Sequence, residues 1–140
     1  MPINAEHAGR RYPATKPYLV TSARIAEFAA AIGDDNPAYT GEEPIAPPTF
    51  STLIAAQAWG ALFDDPELEI SLHRTMHADQ RFRITRSLRT GDLVSATATI
   101  EKVRIRGNTE MITVDVALTG ADGEDLGSAI SQLIHNRQAS

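Results

Sequence analysis

Apolar and polar positions along this chain follow two different periods, one of three to four residues in the first half and one of two in the second. After a short extended piece, Tyr18 to Val20, the residues Ile25, Phe28, Ala29 and Ile32 recur at i, i+3, i+4 and i+7, which places them on one face of a helix. Thr21 or Ser22 can cap its start, and Gly33 follows as a helix-ending glycine. From Pro44 to Phe63 no charged residue occurs. Pro47 and Pro48 suit a helix start, where a missing backbone donor has no consequence, and Thr49 to Phe63 then predicts about four turns, roughly 22 Å of helix.

Phe50, Leu53, Ile54, Ala58, Ala61 and Leu62 cover more than one stripe of that second helix, so burial of most of its circumference is expected. A membrane span would need about 20 strongly apolar residues, and this segment is shorter and carries Thr49, Ser51, Thr52 and Gln57. A water-soluble helix of this kind needs a wrapper. From about Leu72 the period becomes two: Val94, Ala96, Ala98 and Ile100 alternate with polar residues, and Ile112, Val114, Val116 and Leu118 do so more cleanly. Thr90-Gly91-Asp92, Gly107-Asn108 and Asp122-Gly123 mark the turns between strands, and a weaker strand, Leu126 to Asn136, closes the chain. The expected fold class is α+β: one domain over residues 1–140, a long central helix wrapped by a curved antiparallel meander.

Length and composition narrow the function. At 140 residues and 42% apolar content the chain can bury one core, and no basic-then-apolar leader stands at its start, so cytoplasmic residence is expected. There is no cysteine, which removes disulfides, thiolate metal sites and thiol redox chemistry. A net charge of -5 argues against general nucleic-acid binding, yet the stretch from Arg74 to Arg106 alone carries +5. That block either faces an acidic or phosphate-bearing partner or is a solvated strand face. His73 and His77 have the i, i+4 spacing of a helical metal pair, but on a strand the same spacing is roughly 13 Å, so no metal site is expected.

The string Phe28 to Tyr39, with Gly33-Asp34-Asp35-Asn36-Pro37-Ala38-Tyr39 at its end, followed by Ile45-Ala46-Pro47-Pro48-Thr49-Phe50, resembles the MaoC-like dehydratases and (R)-specific hydratases. Their motif runs Gly-Asp-x-Asn-Pro-x-His, then Ile-Ala-His-Gly at the start of the long helix. Within that family the chain is most similar to the A subunit of actinobacterial heterodimeric hydroxyacyl-carrier-protein dehydratases. The Ile-Ala-Pro-Pro-Thr-Phe string and His77-Ala78-Asp79-Gln80-Arg81-Phe82, followed by Arg86 and Gly91-Asp92, carry that likeness, which extends from about Gly9 to about Arg137. The resemblance implies a single hot-dog fold and a reaction that removes water from a 3-hydroxyacyl thioester or adds it to the enoyl form.

That reaction needs a base for the α-proton, an acid for the departing hydroxyl, and donors at a helix start for the enolate-like oxygen. Asp34 and Asn36-Pro37 match the family motif, whereas Tyr39 stands at the histidine position and Pro48 at the glycine position. A phenol with an ordinary pKa near 10 is a poor base at neutral pH, and proline has no N–H to donate. The loop between Tyr39 and Ile45 is also short beside the family pattern. The resemblance therefore implies a subunit that binds the acyl chain while a partner supplies the complete Asp and His pair. Asp34 is its catalytic or vestigial acid, and His77 is a second catalytic candidate, near the carbonyl end of the channel. Asn36, Tyr39, Pro48, Thr49, Phe50, Leu53, Ile54 and Gln57 form its expected substrate-binding set.

No cofactor is expected beyond the CoA or carrier-protein phosphopantetheine that bears the substrate. The expected partners are acyl-CoA or acyl-carrier protein and a second hot-dog chain, as a homodimer or as a heterodimer with a catalytic subunit, with sheets joined edge to edge; neither nucleic acid nor membrane is expected. Two alternatives stay open: a self-sufficient homodimeric hydratase in which Asp34 works with His77, and a non-catalytic acyl-binding module. A hydrolase would want a carboxylate on the central helix, which has none.

Overall fold

The computed structural model describes residues 2–137. Thr21 accepts a hydrogen bond from the Arg24 N–H and starts helix α1, Ser22–Ala31, whose Ile25 and Ala29 are buried. Gly33 follows in the left-handed region at φ 72° and turns the chain away. Ile32, expected on the buried face, is 48% exposed, because the helix ends at Ala31 and Ile32 lies beyond the part that packs.

A short 3-10 turn, Pro48–Phe50, leads into the central helix α2, Ser51–Asp64. Ser51, Ile54, Ala55, Ala58 and Leu62 are buried against the sheet, each large side chain contributing about 1.5–3 kcal/mol. The expectation of all-round burial needs correction. Leu53, Gln57, Gly60 and Asp64 form an exposed stripe at helical spacing, with Leu53 at 43%, and Thr52, Ala56, Trp59 and Phe63 form a half-buried one beside it. This chain wraps only part of its own helix.

Strands β1 (Tyr18–Leu19), β2 (Thr75–Ile84), β3 (Leu93–Arg106), β4 (Thr109–Thr119) and β5 (Asp125–Asn136) form one antiparallel sheet in the order β1-β3-β4-β5-β2. Val94, Ile100, Ile112, Val114 and Val116 point from it into the core, with their polar neighbours outward, as the period of two requires. The seam between β5 and β2 depends on Gly127, at φ 115°, where any Cβ would collide with the Arg83 carbonyl oxygen.

The two margins of the sheet are finished differently. Along β3 the N-terminal segment pairs through its backbone: Gly9 N–H to Ile100 O at 2.7 Å, Ile100 N–H to Arg10 O at 2.8 Å, and Tyr12 N–H to Ala98 O at 2.9 Å. A side-chain clamp holds it there. Asp65, just past α2, accepts from the Tyr12 hydroxyl at 2.6 Å and from Arg10 at 2.9 Å. Burial pushes the Asp65 pKa up, but these two donors and the Glu67 N–H outweigh it and hold the carboxyl below its ordinary value. At the other margin β2 pairs with β5 alone among the described residues, so its outer backbone edge is open. The start of β2 is anchored from behind. Buried His135 accepts the Ser71 N–H at Nε2, so its Nδ1–H donates to Glu110 at 2.8 Å, and Arg137 completes the cluster on the same carboxylate.

Candidate functional site

The leading end of α2 is built by packing from α1. Phe28 meets Phe50 edge-on at 5.4 Å between ring centroids, and Tyr18 meets the same ring at 6.2 Å. The contact ties the end of α1, and hence the loop that follows Gly33, to the start of the central helix. Within that loop Asp34 Oδ1 accepts the Asn36 N–H at 3.1 Å, and Asn36 Oδ1 accepts the Ala38 N–H at 3.0 Å, two successive side-chain turns. Asn36 thereby caps the 3-10 turn Pro37–Tyr39, and the Tyr39 ring is buried in the core. Ala46 then joins the sheet side through Leu88 O at 2.7 Å.

Chemically, this end is poorly equipped. Asp34 is exposed and its Oδ1 is engaged by its own turn, Tyr39 is turned inward, and Pro47 and Pro48 offer no N–H at the helix start. Pro48 and Thr49 are exposed at the mouth of the helix. Of the expected acyl-lining residues, Phe50 and Ile54 are fully buried beneath α2, whereas Leu53 and Gln57 lie on its exposed stripe.

His77 belongs to a different place. It sits on β2 with its ring edge-on to Trp59 at 5.0 Å, ten residues past Thr49 and so about 15 Å along the helix from the leading end. It is thus well separated along the axis from Pro48 at the leading end. A bulge explains its orientation: the register of β2 on β5 slips between His77 and Asp79, so Ala78 is extra, and both His77 (opposite Leu133) and Gln80 (opposite Ser131) face inward. Gln80 Oε1 receives the buried Ser131 hydroxyl at 2.6 Å and His77 Nε2 at 2.9 Å, while Gln80 Nε2 donates to the Ile130 and Arg81 carbonyls. Gln80, Ser131 and Trp59 are missing from the sequence-derived set. Regular alternation would put residues 77 and 80 on opposite faces, and nothing in the sequence marks the bulge. The Trp59 Nε1–H is buried without an acceptor among the described residues.

The basic block does not form one free surface. Arg86 forms a bidentate pair with Asp92 at 2.9 and 3.0 Å and also binds Glu124, and Arg83 pairs with Asp125. Asp92 is held below the ordinary carboxylate range: burial pushes it up, and Arg86 and the Arg89 N–H more than compensate. Lys102, Arg104 and Arg106 remain exposed on the far part of β3. No group of His, Asp or Glu among the described residues is arranged to hold a metal, and none of their helices is long and apolar enough to cross a membrane.

A single helix in a curled antiparallel sheet, with an Asp-x-Asn-Pro loop at the helix start, defines the hot-dog dehydratase class of MaoC-like proteins. Over residues 6–128 the chain matches the family described as FAS1-like, dehydratase domain region, and it belongs to that family. It is 51% identical over 137 residues to the UPF0336 protein PPA1896 of Cutibacterium acnes, covering 98% of this chain and 96% of that one. It is 36% identical over 143 residues to a UPF0336 protein of Thermobifida fusca, covering 96% of this chain and 94% of that one. Among solved structures it superposes on a chain of the C-terminally truncated HadBC (3R-hydroxyacyl-ACP dehydratase) complex from Mycobacterium tuberculosis with TM-score 0.79 and 27% identity, covering 91% and 96% of the two chains. A MaoC-like dehydratase gives TM-score 0.82 at 20% identity, over 94% of this chain and 42% of that one, a likeness of fold.

Proposed function

We propose that this chain is the acyl-binding subunit of a two-chain 3-hydroxyacyl-thioester dehydratase, whose partner, another hot-dog chain, supplies the proton-transferring Asp and His. The carrying observation is the mismatch between a leading end that lacks the family's histidine and helix-start glycine, with Tyr39 and Pro48 in their places, and a β2 edge that is open. Leu53 on α2, at 43%, Leu72 in the turn before β2, at 68%, and Met76 and Ile84 at the two ends of β2, at 59% and 50%, are exposed, and the outer edge of β2 is unpaired among the described residues. Single exposed apolar residues are ordinary, and it is the bare edge of β2 beside them that offers a second chain a place to add. A second hot-dog chain adding its edge to β2 would cover them and close a channel along α2. In that channel Pro48 and Thr49 stand at the mouth and Leu53 and Gln57 along the wall, with Phe50 and Ile54 backing them. Asn36 and Tyr39 shape the entrance, and Asp34 is retained as a turn former. The substrate enters as a thioester on CoA or carrier-protein phosphopantetheine. The HadBC relative, a complex of two chains, supports a two-chain arrangement.

The test is reconstitution. The purified chain alone is expected to leave crotonyl thioesters unhydrated. Mixed with a hot-dog chain carrying an intact Gly-Asp-x-Asn-Pro-x-His loop, it should form a one-to-one complex whose long-chain activity exceeds that of the partner alone. Robust turnover by the isolated chain would instead establish the self-sufficient homodimer, and acyl binding without turnover or partner would establish a binding module.

A further inference from the structure

We propose that the Nδ1 atom of His77 is a hydrogen-bond acceptor for a hydroxyl group carried on the acyl chain, and that Gln80 is the positioning residue that makes it one. The inference rests on the acyl-binding reading above. Its first support is the tautomer. Gln80 gives both amide protons to backbone carbonyls, Ile130 O at 3.2 Å and Arg81 O at 3.1 Å, which fixes Oε1 as the atom facing His77. An amide oxygen only accepts, so His77 Nε2, 2.9 Å away, carries the proton. Neutral imidazole then has its lone pair on Nδ1, and no partner of Nδ1 exists among the described residues. Ser131, fully buried, and Trp59, edge-on at 5.0 Å, hold Gln80 and the imidazole in place.

The second support is the bulge. The extra residue Ala78 turns His77 and Gln80 to the same face, a rearrangement of the kind that re-aims side chains beside functional sites. The third is direction. A partner strand pairing with β2 uses backbone groups in the plane of the sheet, whereas His77 projects from the inner face towards α2, where the acyl chain would run. At about 15 Å beyond Thr49 along the helix, this exposed side chain is too far from the leading end to touch the reacting carbons and would meet the tail instead. A methylene passing Nδ1 strips its water and returns nothing, whereas a hydroxyl replaces the lost hydrogen bond. The subsite therefore selects tails bearing oxygen at this depth over plain alkyl tails.

Two measurements test this, the first on the purified chain and the second on its complex with a hot-dog chain carrying an intact Gly-Asp-x-Asn-Pro-x-His loop. Long-range proton–nitrogen NMR should show His77 as the Nε2–H tautomer, and Gln80→Leu should convert it to a mixture. Titration with the N-acetylcysteamine thioesters of dodecanoate and of ω-hydroxydodecanoate should show the hydroxylated probe binding about tenfold tighter and moving the His77 ring signals, a preference absent in His77→Leu. Failure of both probes to bind ends the acyl-binding reading. Equal binding of the two probes, or an Nδ1–H tautomer in the wild-type chain, overturns the His77 subsite and leaves that reading standing.

Discussion

The margin of the sheet at β3 and the margin at β2 meet the same physical problem, a row of unpaired backbone groups, and resolve it in opposite ways. At β3 the chain covers itself: residues 9 to 15 hydrogen-bond along the strand, and Tyr12 and Arg10 lock them to Asp65. At β2 the edge is bare, flanked by exposed Met76 and Ile84 and by the Leu53 stripe of α2. An edge strand left bare is prone to pair with another chain, so the bare length of β2 offers a place where a partner can add. The difference teaches that one margin is finished within this chain, whereas the other is left open where the proposed partner would add.

The largest effect expected from testing that contrast is at Gly127. Gly127→Ala drives a Cβ into the Arg83 carbonyl at a positive φ, and should cost about 3 kcal/mol or more in chemical denaturation, with β2 amides exchanging first. Next comes the open edge. The double substitution Met76→Lys and Ile84→Lys should weaken association with the partner about 100-fold, roughly 2.7 kcal/mol in a binding titration. The same substitution leaves the isolated chain within about 0.5 kcal/mol of wild type. Leu19→Lys, equally exposed but on β1 at the covered margin, should leave association unchanged; a comparable loss there would erase the distinction between margins.

A smaller effect is expected at the clamp. Asp65→Asn should cost about 1–2 kcal/mol at neutral pH, read as a lower unfolding midpoint. Asp65 titrates lower in the folded chain than in the unfolded chain, where it sits near 3.9. Its contribution is therefore complete above that value and is lost as pH falls through the folded-state pKa, so the Asn variant should lose less stability between pH 5 and pH 3 than wild type. Least of all should change with Arg81→Ala. The Arg81–Asp79 pair, at 3.4 Å with both side chains largely exposed, contributes nothing measurable to the stability of either margin.

Much of this fold could be read before the structure was seen. Thr21 and Gly33 bound the first helix because capping and left-handed backbone are local demands, and the alternation from Ile112 to Leu118 fixes β4 because a sheet with one buried face shows the period of two directly. The covering segment was not legible. Its Arg-Arg-Tyr-Pro-Ala-Thr run has no alternation, since it binds β3 through backbone groups that every residue possesses. Leu53 misled for a related reason: hydrophobicity records that a position wants cover, without recording whose chain provides it. At the site, the Asp34-x-Asn36-Pro37 string was visible as a family motif, and in the structure its hydrogen bonds are those of two successive side-chain turns. The cluster of His77, Gln80 and Ser131 was hidden because the strand period fails at one residue.

The extra residue at Ala78 makes β2 tolerant of a change in length at this one point. Deleting it would bring His77, opposite Leu133, and Asp79, opposite Gln132, into unbroken alternation, with His77 still facing the helix and Met76 still on the convex side. The bulge therefore absorbs a codon gained or lost here, while the pairs on both sides of it keep their register.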